Sequence, residues 1–205
     1  MVLGYHVIFS AYGFWLPNDP RGSWSEFVGA WDLYYAGGKA TTTTERRALH
    51  RDPHDRAKRL ATKRALARPP VKFFGVQARA ACQGFGEYAA KSGLPVWACA
   101  IMPDHVHMVT GRFRLDIEQV VVQLKAAATN RLIGEGLHPF AHLAADGERP
   151  PKCWGRGEWS VFLESREDIS RSIGYVENNP IKDGKPRQTW SFVTLPYATD
   201  DNPTV

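Results

Sequence analysis

Two histidines one residue apart, His105 and His107, sit in the apolar stretch Met102-Pro103-Asp104-His105-Val106-His107-Met108-Val109. Strand side chains alternate faces, so a strand here would project both imidazoles side by side from a rigid backbone. Such a pair suits two ligands of one metal ion. A short His-x-His also arises by chance, and the pair gains weight only from a second constellation sixty-eight residues on, Tyr175-Val176-Glu177-Asn178-Asn179-Pro180. Tyr175 and Asn179 are four apart and so neighbours on one helical face. Taken alone they read as an amphipathic packing residue and a helix stop before proline. Beside the histidines, Asn179 could supply an amide oxygen as third ligand, with Tyr175 one turn away as a nucleophile.

A phenol has a pKa near 10 and attacks poorly unless activated. A divalent ion held by two imidazoles and an amide leaves positions open for phosphate oxygens, and it neutralises charge in a phosphoryl-transfer transition state. Attack by tyrosine conserves the energy of a phosphodiester for later resealing, whereas hydrolysis needs no tyrosine. The combination favours strand transfer over destruction.

The elements that must hold these groups follow from periodicity. Gly4 to Ser10 reads as a first strand, and Gly13 to Trp24, rich in Pro, Gly and Asp, as loop. A helix is expected over Val76 to Lys91, where Ala78, Ala81, Cys82, Phe85 and Ala89 form a stripe and Gly93 a stop. Strands are expected over Pro95 to Ile101 and His105 to Gly111, close enough for a hairpin. Asp116 and Gln119 make a capping-box-like start for a helix with Ile117, Val121, Leu124, Ala128 and Leu132 on one face. Residues 137–152 read as loop, and Trp159 to Leu163 as a fourth strand. A last helix begins at Ser165 and Asp168, carries Ile169, Ile173 and Val176 as its stripe, and stops at Asn179 before Pro180. The order predicts an α+β, ferredoxin-like antiparallel sheet with helices packed on one face, plus a C-terminal helix carrying Tyr175.

Composition narrows the function classes. The 205 residues, 43% hydrophobic with seven tryptophans, suit one globular domain over 1–205 rather than a disordered chain. No apolar run approaches the roughly 18–20 residues that cross a bilayer, so no membrane role is expected. Cys82, Cys99 and Cys153 fit neither a disulfide framework nor a paired-cysteine zinc site, and Cys99 reads as a buried small hydrophobe. The start of the chain lacks secretory character, and a cytoplasmic, nucleoid-associated protein is expected. Between Glu45 and Lys72 ten Lys or Arg face three acidic residues, a local +7 against −2 for the remainder. Residues 14–72 therefore read as a basic insertion, whose His54 to Ala67 is a helix candidate ended by Pro69-Pro70. Lys58, Arg59, Lys63 and Arg64 there are candidate DNA contacts, or else a solvated helix face.

Pro103-Asp104-His105-Val106-His107 resembles the His-hydrophobic-His motif of the single-tyrosine HUH transposases. Trp154-Gly155-Arg156-Gly157-Glu158-Trp159, with Ile173-Gly174-Tyr175-Val176-Glu177-Asn178-Asn179-Pro180, resembles their catalytic-tyrosine region. The Tyr-x-x-x-Asn-Pro form is most similar to the branch associated with repetitive extragenic palindromes, the REP-associated tyrosine transposases. The likeness covers roughly 1–10 and 73–184. It implies a transposase or endonuclease that cuts single-stranded DNA near a hairpin, leaving a 5′-phosphotyrosine and a free 3′-hydroxyl. Tyr175 would be the nucleophile, and His105, His107 and Asn179 would bind Mg²⁺ or Mn²⁺. Many relatives carry Asn where this chain has Asp104. Relatives are dimers in one branch and monomers in another, so both a homodimer and a monomer stay open.

Two other readings use the same residues: a hydrolytic metallonuclease without a covalent step, and a non-catalytic ferredoxin-like nucleic-acid-binding module. Arg156, Lys182, Lys185 and Arg187 flank the candidate site and as a group fit a DNA path. Lys125 and Arg131 are either phosphate contacts or solvated charges. His138 and His142 bracket Pro139 and read as a surface turn. Trp15, Trp24 and Trp31 could stack on bases, though packing the insertion onto the core is the simpler expectation.

Overall fold

A computed structural model describes residues 1–16, 19, 31–39 and 55–196 of the chain. Four strands, β1 (Gly4–Ser10), β2 (Val96–Ile101), β3 (His105–Gly111) and β4 (Trp159–Leu163), form one sheet in the order β2-β3-β1-β4. Every pairing is antiparallel. Helices α3 (Val76–Ser92) and α4 (Ile117–Gly134) complete the βαββαβ ferredoxin-like pattern, and α5 (Arg166–Lys182) follows it. Two shorter helices, α1 (Trp31–Gly37) and α2 (Arg56–Arg64), lie between β1 and α3.

The strands alternate as expected. Val7, Phe9, Val106 and Met108 join the large core with Phe85 of α3 and Val121, Leu124, Ala128 and Leu132 of α4. The opposite face carries His6, Ile8, His107 and Val109. There Ala98, Ala100, Val109 and Leu163 meet Ile169 and Val176 of α5 in a second, smaller cluster. Helices thus cover both faces, with α3 and α4 on one and α5 on the other. Small alanines on β2 let α5 approach the sheet closely. The Asp116–Gln119 capping box forms, and Ser165 Oγ accepts the Asp168 N–H at 3.0 Å. Gly93 closes α3 in the left-handed region at φ 75°, where a Cβ would be strained.

Three expectations need correction, and one helix is unforeseen. Trp31–Gly37 is helical: Leu33, Ala36 and Gly37 turn inward at i, i+3 and i+4 spacing, too short a stripe to stand out in the sequence. The basic helix spans only Arg56–Arg64, begun by Asp55, whose Oδ1 accepts the Lys58 N–H at 2.9 Å. His54 lies outside the described residues. α5 does not stop at Asn179. Pro180 forfeits one N–H bond near the helix end, and the turn closes beyond it, where the Lys185 N–H reaches the Pro180 carbonyl at 2.8 Å. His138 is buried rather than on a surface turn, its Nδ1 accepting the Phe140 N–H at 3.2 Å.

The outer edge of β2 is covered by the chain's own C-terminal segment. Gln188 brackets Ile101, donating to its carbonyl and accepting from its N–H, both at 2.8 Å, and the Thr194 N–H donates to Val96 O at 2.8 Å. This blunts an edge that would otherwise recruit foreign strands. No helix among the described residues is long and apolar enough to cross a membrane.

Candidate active site

β3 places His105 and His107 two residues apart on the α5 face, with their Nε2 atoms 3.1 Å apart. Each ring is held at its other nitrogen. His105 Nδ1 lies 2.8 Å from Asp104 Oδ1, and His107 Nδ1 lies 3.1 Å from Nε2 of His6 on β1. Asp104 therefore orients a ring as well as shaping the turn. Phe14 stacks on His105 with ring centroids 4.9 Å apart and planes 12° off parallel.

His107 is 4% exposed and His6 9%. Burial pulls the His6 pKa down to about 4. Burial, then repulsion from His105 and His6, pulls that of His107 down to about 2. Both rings are neutral at physiological pH, so lone pairs are available. The tautomers follow from the network. The Nδ1–H of His105 donates to Asp104 Oδ1, which leaves Nε2 to offer a lone pair. For His107 Nε2 to offer a lone pair as well, its proton must sit on Nδ1 and be donated to His6.

Tyr175 of α5 comes against this group, its ring centroid 5.6 Å from that of His107 and 5.7 Å from that of His6. Ile169 and Val176 anchor the helix, while Tyr175 stays 46% exposed. The Lys182 ammonium lies 5.2 Å from the Tyr175 ring centroid. Asn179, one turn beyond Tyr175, is partly buried, and its Nδ2 is a buried atom without a hydrogen-bond partner.

These features fit a divalent ion. A separation of 3.1 Å between two nitrogens matches ligands bound at about 2.1 Å and at roughly a right angle to each other. The outer nitrogens are oriented by partners, as in ligating histidines generally. The Asn179 amide, whose Nδ2 is buried without a partner, would offer an oxygen donor after a flip that exchanges its O and N. Among the described residues no group of three or more His, Cys, Asp or Glu side chains is placed to hold a metal ion.

The other candidates divide. Lys182 is at the tyrosine. Arg187 pairs with Glu177 of α5, and Lys185 with Asp183 at 2.8 Å. Arg156 is exposed in the loop after Trp154. Lys125 fixes that loop from α4, donating to the carbonyls of Gly155 at 3.0 Å and Gly157 at 2.6 Å. Burial lowers its pKa to about 8, against the opposing pull of Glu158. Gly155 lets that loop lie close to β1: a Cβ there would come 2.4 Å from Ser10 Oγ, so the serine side chain would have to turn away. Arg131 pairs with Glu87 at 2.6 Å and Glu135 at 2.5 Å. Lys58, Arg59, Lys63 and Arg64 lie on α2; Arg59 turns inward, 3.8 Å from Asp19. Trp15 is partly buried against Phe14, Trp31 is exposed, and Trp24 lies outside the described residues.

His6 and Phe14 are the contacts that sequence reasoning missed. His6 shares its strand parity with Ile8, which sits opposite His107, so only the β1–β3 register reveals the partnership.

No family model matches the chain, and no curated protein matches it. Among solved structures the chain is similar to a REP-associated tyrosine transposase bound to a REP hairpin, at 11% identity and a TM-score of 0.46, over 89% of this chain and 68% of that one. It is also similar to a "putative transposase" from Deinococcus radiodurans R1, at 17% identity and a TM-score of 0.39, over 87% of this chain and 91% of that one. At such identities and scores the assignment of the fold rests on the chain's own strand order, and that of a function on its own side chains.

Proposed function

We propose that the chain is a metal-dependent DNA strand transferase that cuts and rejoins single-stranded DNA near a hairpin through Tyr175. The observation that carries this reading is the meeting of two distant segments: the Tyr175 ring lies 5.6 Å from His107, beside a histidine pair spaced for one ion. Tyr175 Oη attacks a backbone phosphorus. The new O–P bond replaces the bond to the 3′-oxygen, which leaves as a 3′-hydroxyl after taking up a proton; the phenol proton passes to solvent. The product is a 5′-phosphotyrosine, and a 3′-hydroxyl attacking it reverses the exchange.

His105, His107 and Asn179 would hold Mg²⁺ or Mn²⁺, which supplies charge neutralisation at the phosphate. Imidazole donors favour Mn²⁺ over Mg²⁺. His6 and Asp104 orient the two imidazoles, Phe14 fixes the His105 plane, and Lys182 puts a positive charge beside the phenol, where a phosphate would sit. A non-catalytic module of the RNA-binding type would need an open sheet face for base stacking, and here α5 covers that face.

Covalent capture tests the proposal. Single-stranded hairpin oligonucleotides from the DNA flanking the chain's own gene are mixed with protein and Mn²⁺ or Mg²⁺, then run on a denaturing gel. The expected result is a protein–DNA adduct that Tyr175→Phe abolishes. Cleavage persisting in Tyr175→Phe without an adduct would identify a hydrolytic nuclease instead.

A further inference from the structure

We propose that the α1–α2 pair is a second binding platform, on which unpaired DNA bases stack over Trp31, Tyr34 and Tyr35 while the cations of α2 hold the backbone. It rests on the reading that the chain acts on single-stranded DNA, and it places a binding site outside the histidine–tyrosine cluster.

α1 carries Trp31, Tyr34 and Tyr35 at i, i+3 and i+4, one face of the helix. They are 74%, 37% and 78% exposed, although aromatic rings of this size are ordinarily well covered. The rings support one another: Trp31 and Tyr35 lie 6.0 Å apart with planes 30° from parallel, and Tyr34 meets Trp31 edge-on at 6.0 Å. Leu33, Ala36 and Gly37 are the residues turned inward. The aromatic face is thus the side of α1 left over after packing.

α2 packs beside α1, with the Lys58 ammonium close against Gly38 just past the end of α1. Its inward side is Arg59 and Thr62. Arg56, Lys63 and Arg64 stand on the other side at spacings of seven and eight, all exposed. Among the described residues no carboxylate pairs with any of the three. Flat apolar rings on α1 and exposed cations on the helix packed against it match a single nucleic-acid strand, whose bases offer π-faces and whose backbone is anionic. An acidic peptide would use the cations and leave three rings uncovered. A duplex would use the cations and keep its bases stacked on one another.

The platform is also rooted beside the catalytic cluster. Leu66 and Pro70, just beyond α2, close on Gly13, and Arg68 lies over the Tyr12 ring at 4.8 Å. The next residue, Phe14, is the one stacked on His105.

The test uses the full chain carrying Tyr175→Phe, without metal, so that binding is read apart from cleavage. Labelled oligo(dT), oligo(U) and a DNA duplex, each of about twenty nucleotides, are titrated by fluorescence anisotropy. The double variant Trp31→Ala/Tyr35→Ala is expected to weaken oligo(dT) binding by about tenfold or more. Trp31→Phe/Tyr35→Phe should stay within about threefold of the parent, which excludes misfolding as the cause. Arg56→Glu/Lys63→Glu should flatten the salt dependence of oligo(dT) binding by a slope of about 1.4. Unchanged binding in the alanine variant would overturn the proposal, as would equal loss in the phenylalanine variant, equal loss of duplex binding, or a preference for oligo(U). An adduct formed by native protein, together with normal oligo(dT) binding by the alanine variant, would sink the platform and keep Tyr175 chemistry. Stacking-dependent binding with no adduct from native protein would do the reverse.

Discussion

The histidine–tyrosine cluster and the α1–α2 pair both turn aromatic and cationic groups outward, but their supports differ. His6 and His107 stand on central strands, their rings fixed at 3.1 Å by each other and under α5. The aromatic face of α1 rests on a seven-residue helix that turns only three small or aliphatic residues inward. Chemistry on phosphorus needs groups placed to a fraction of an ångström, and sheet backbone provides that. Base stacking tolerates sliding and asks only for ring area and charge. The rigid region is therefore fit for reaction, and the light one for holding a strand.

The contrast is most exposed at α5, which is held to the sheet by a small cluster. Ile169→Ala is expected to cost about 2–5 kcal/mol and to abolish adduct formation with Tyr175, His105 and His107 intact. Leu124→Ala in the large core should cost a similar amount yet leave adduct formation in place below its unfolding temperature. Chemical denaturation beside covalent capture separates the two. If both variants keep their adduct, α5 does not depend on its own small cluster.

A smaller effect comes with pH. His6 and His107 are held neutral in the fold, with pKa values below the ordinary 6.5. An unfolded chain would protonate them, so protons favour unfolding. The stability is whole above pH 6.5 and falls as the pH drops below it, down toward about 4 for His6 and about 2 for His107. At about pH 5.5 each contributes a loss of about 1.4 kcal/mol. Urea midpoints at about pH 7.5 and 5.5 should differ more for native protein than for His6→Gln. An equal difference would mean that His6 is not buried in its neutral form.

Much of the rigid region is legible in the sequence because it is governed by local rules. Two-residue alternation marks β3, the Asp116–Gln119 pair marks the start of α4, and the Ile169–Val176 stripe marks α5. What escapes depends on distant chain segments. The register that sets His6 beside His107 pairs strands nearly a hundred residues apart and is fixed by core packing. His138 is buried because the loop around it folds back on the core, and Gln188 finds Ile101 across 87 residues. Pro180 misleads because a proline near a helix end removes one bond and no more. In the α1–α2 region the sequence shows charge plainly and structure poorly, since three inward residues make no visible period.

His6 tests whether orientation matters inside the cluster. Loss of a partner that orients a ligand typically weakens metal affinity by about 10–100-fold. His6→Leu should therefore weaken Mn²⁺ binding by that factor in calorimetry, and His6→Gln should recover part of it, because an amide oxygen can still accept the His107 Nδ1 proton. Unchanged Mn²⁺ affinity in His6→Leu would separate His6 from the ligand set and leave it as a packing residue.

The smallest effect bears on the lighter region. Asp55 caps α2 through the Lys58 N–H at 2.9 Å, and Asp55→Ala should cost about 1 kcal/mol. If α2 opens independently of the sheet, the loss appears as faster amide exchange confined to α2, with the denaturation midpoint of the whole chain unmoved. Exchange rising through α3 and β1 as well, together with a lower midpoint, would show that the Gly13–Leu66–Pro70 contact makes α2 one cooperative unit with the sheet. The α1–α2 pair would then share the rigidity of the histidine–tyrosine cluster, and its rings would be held in one arrangement.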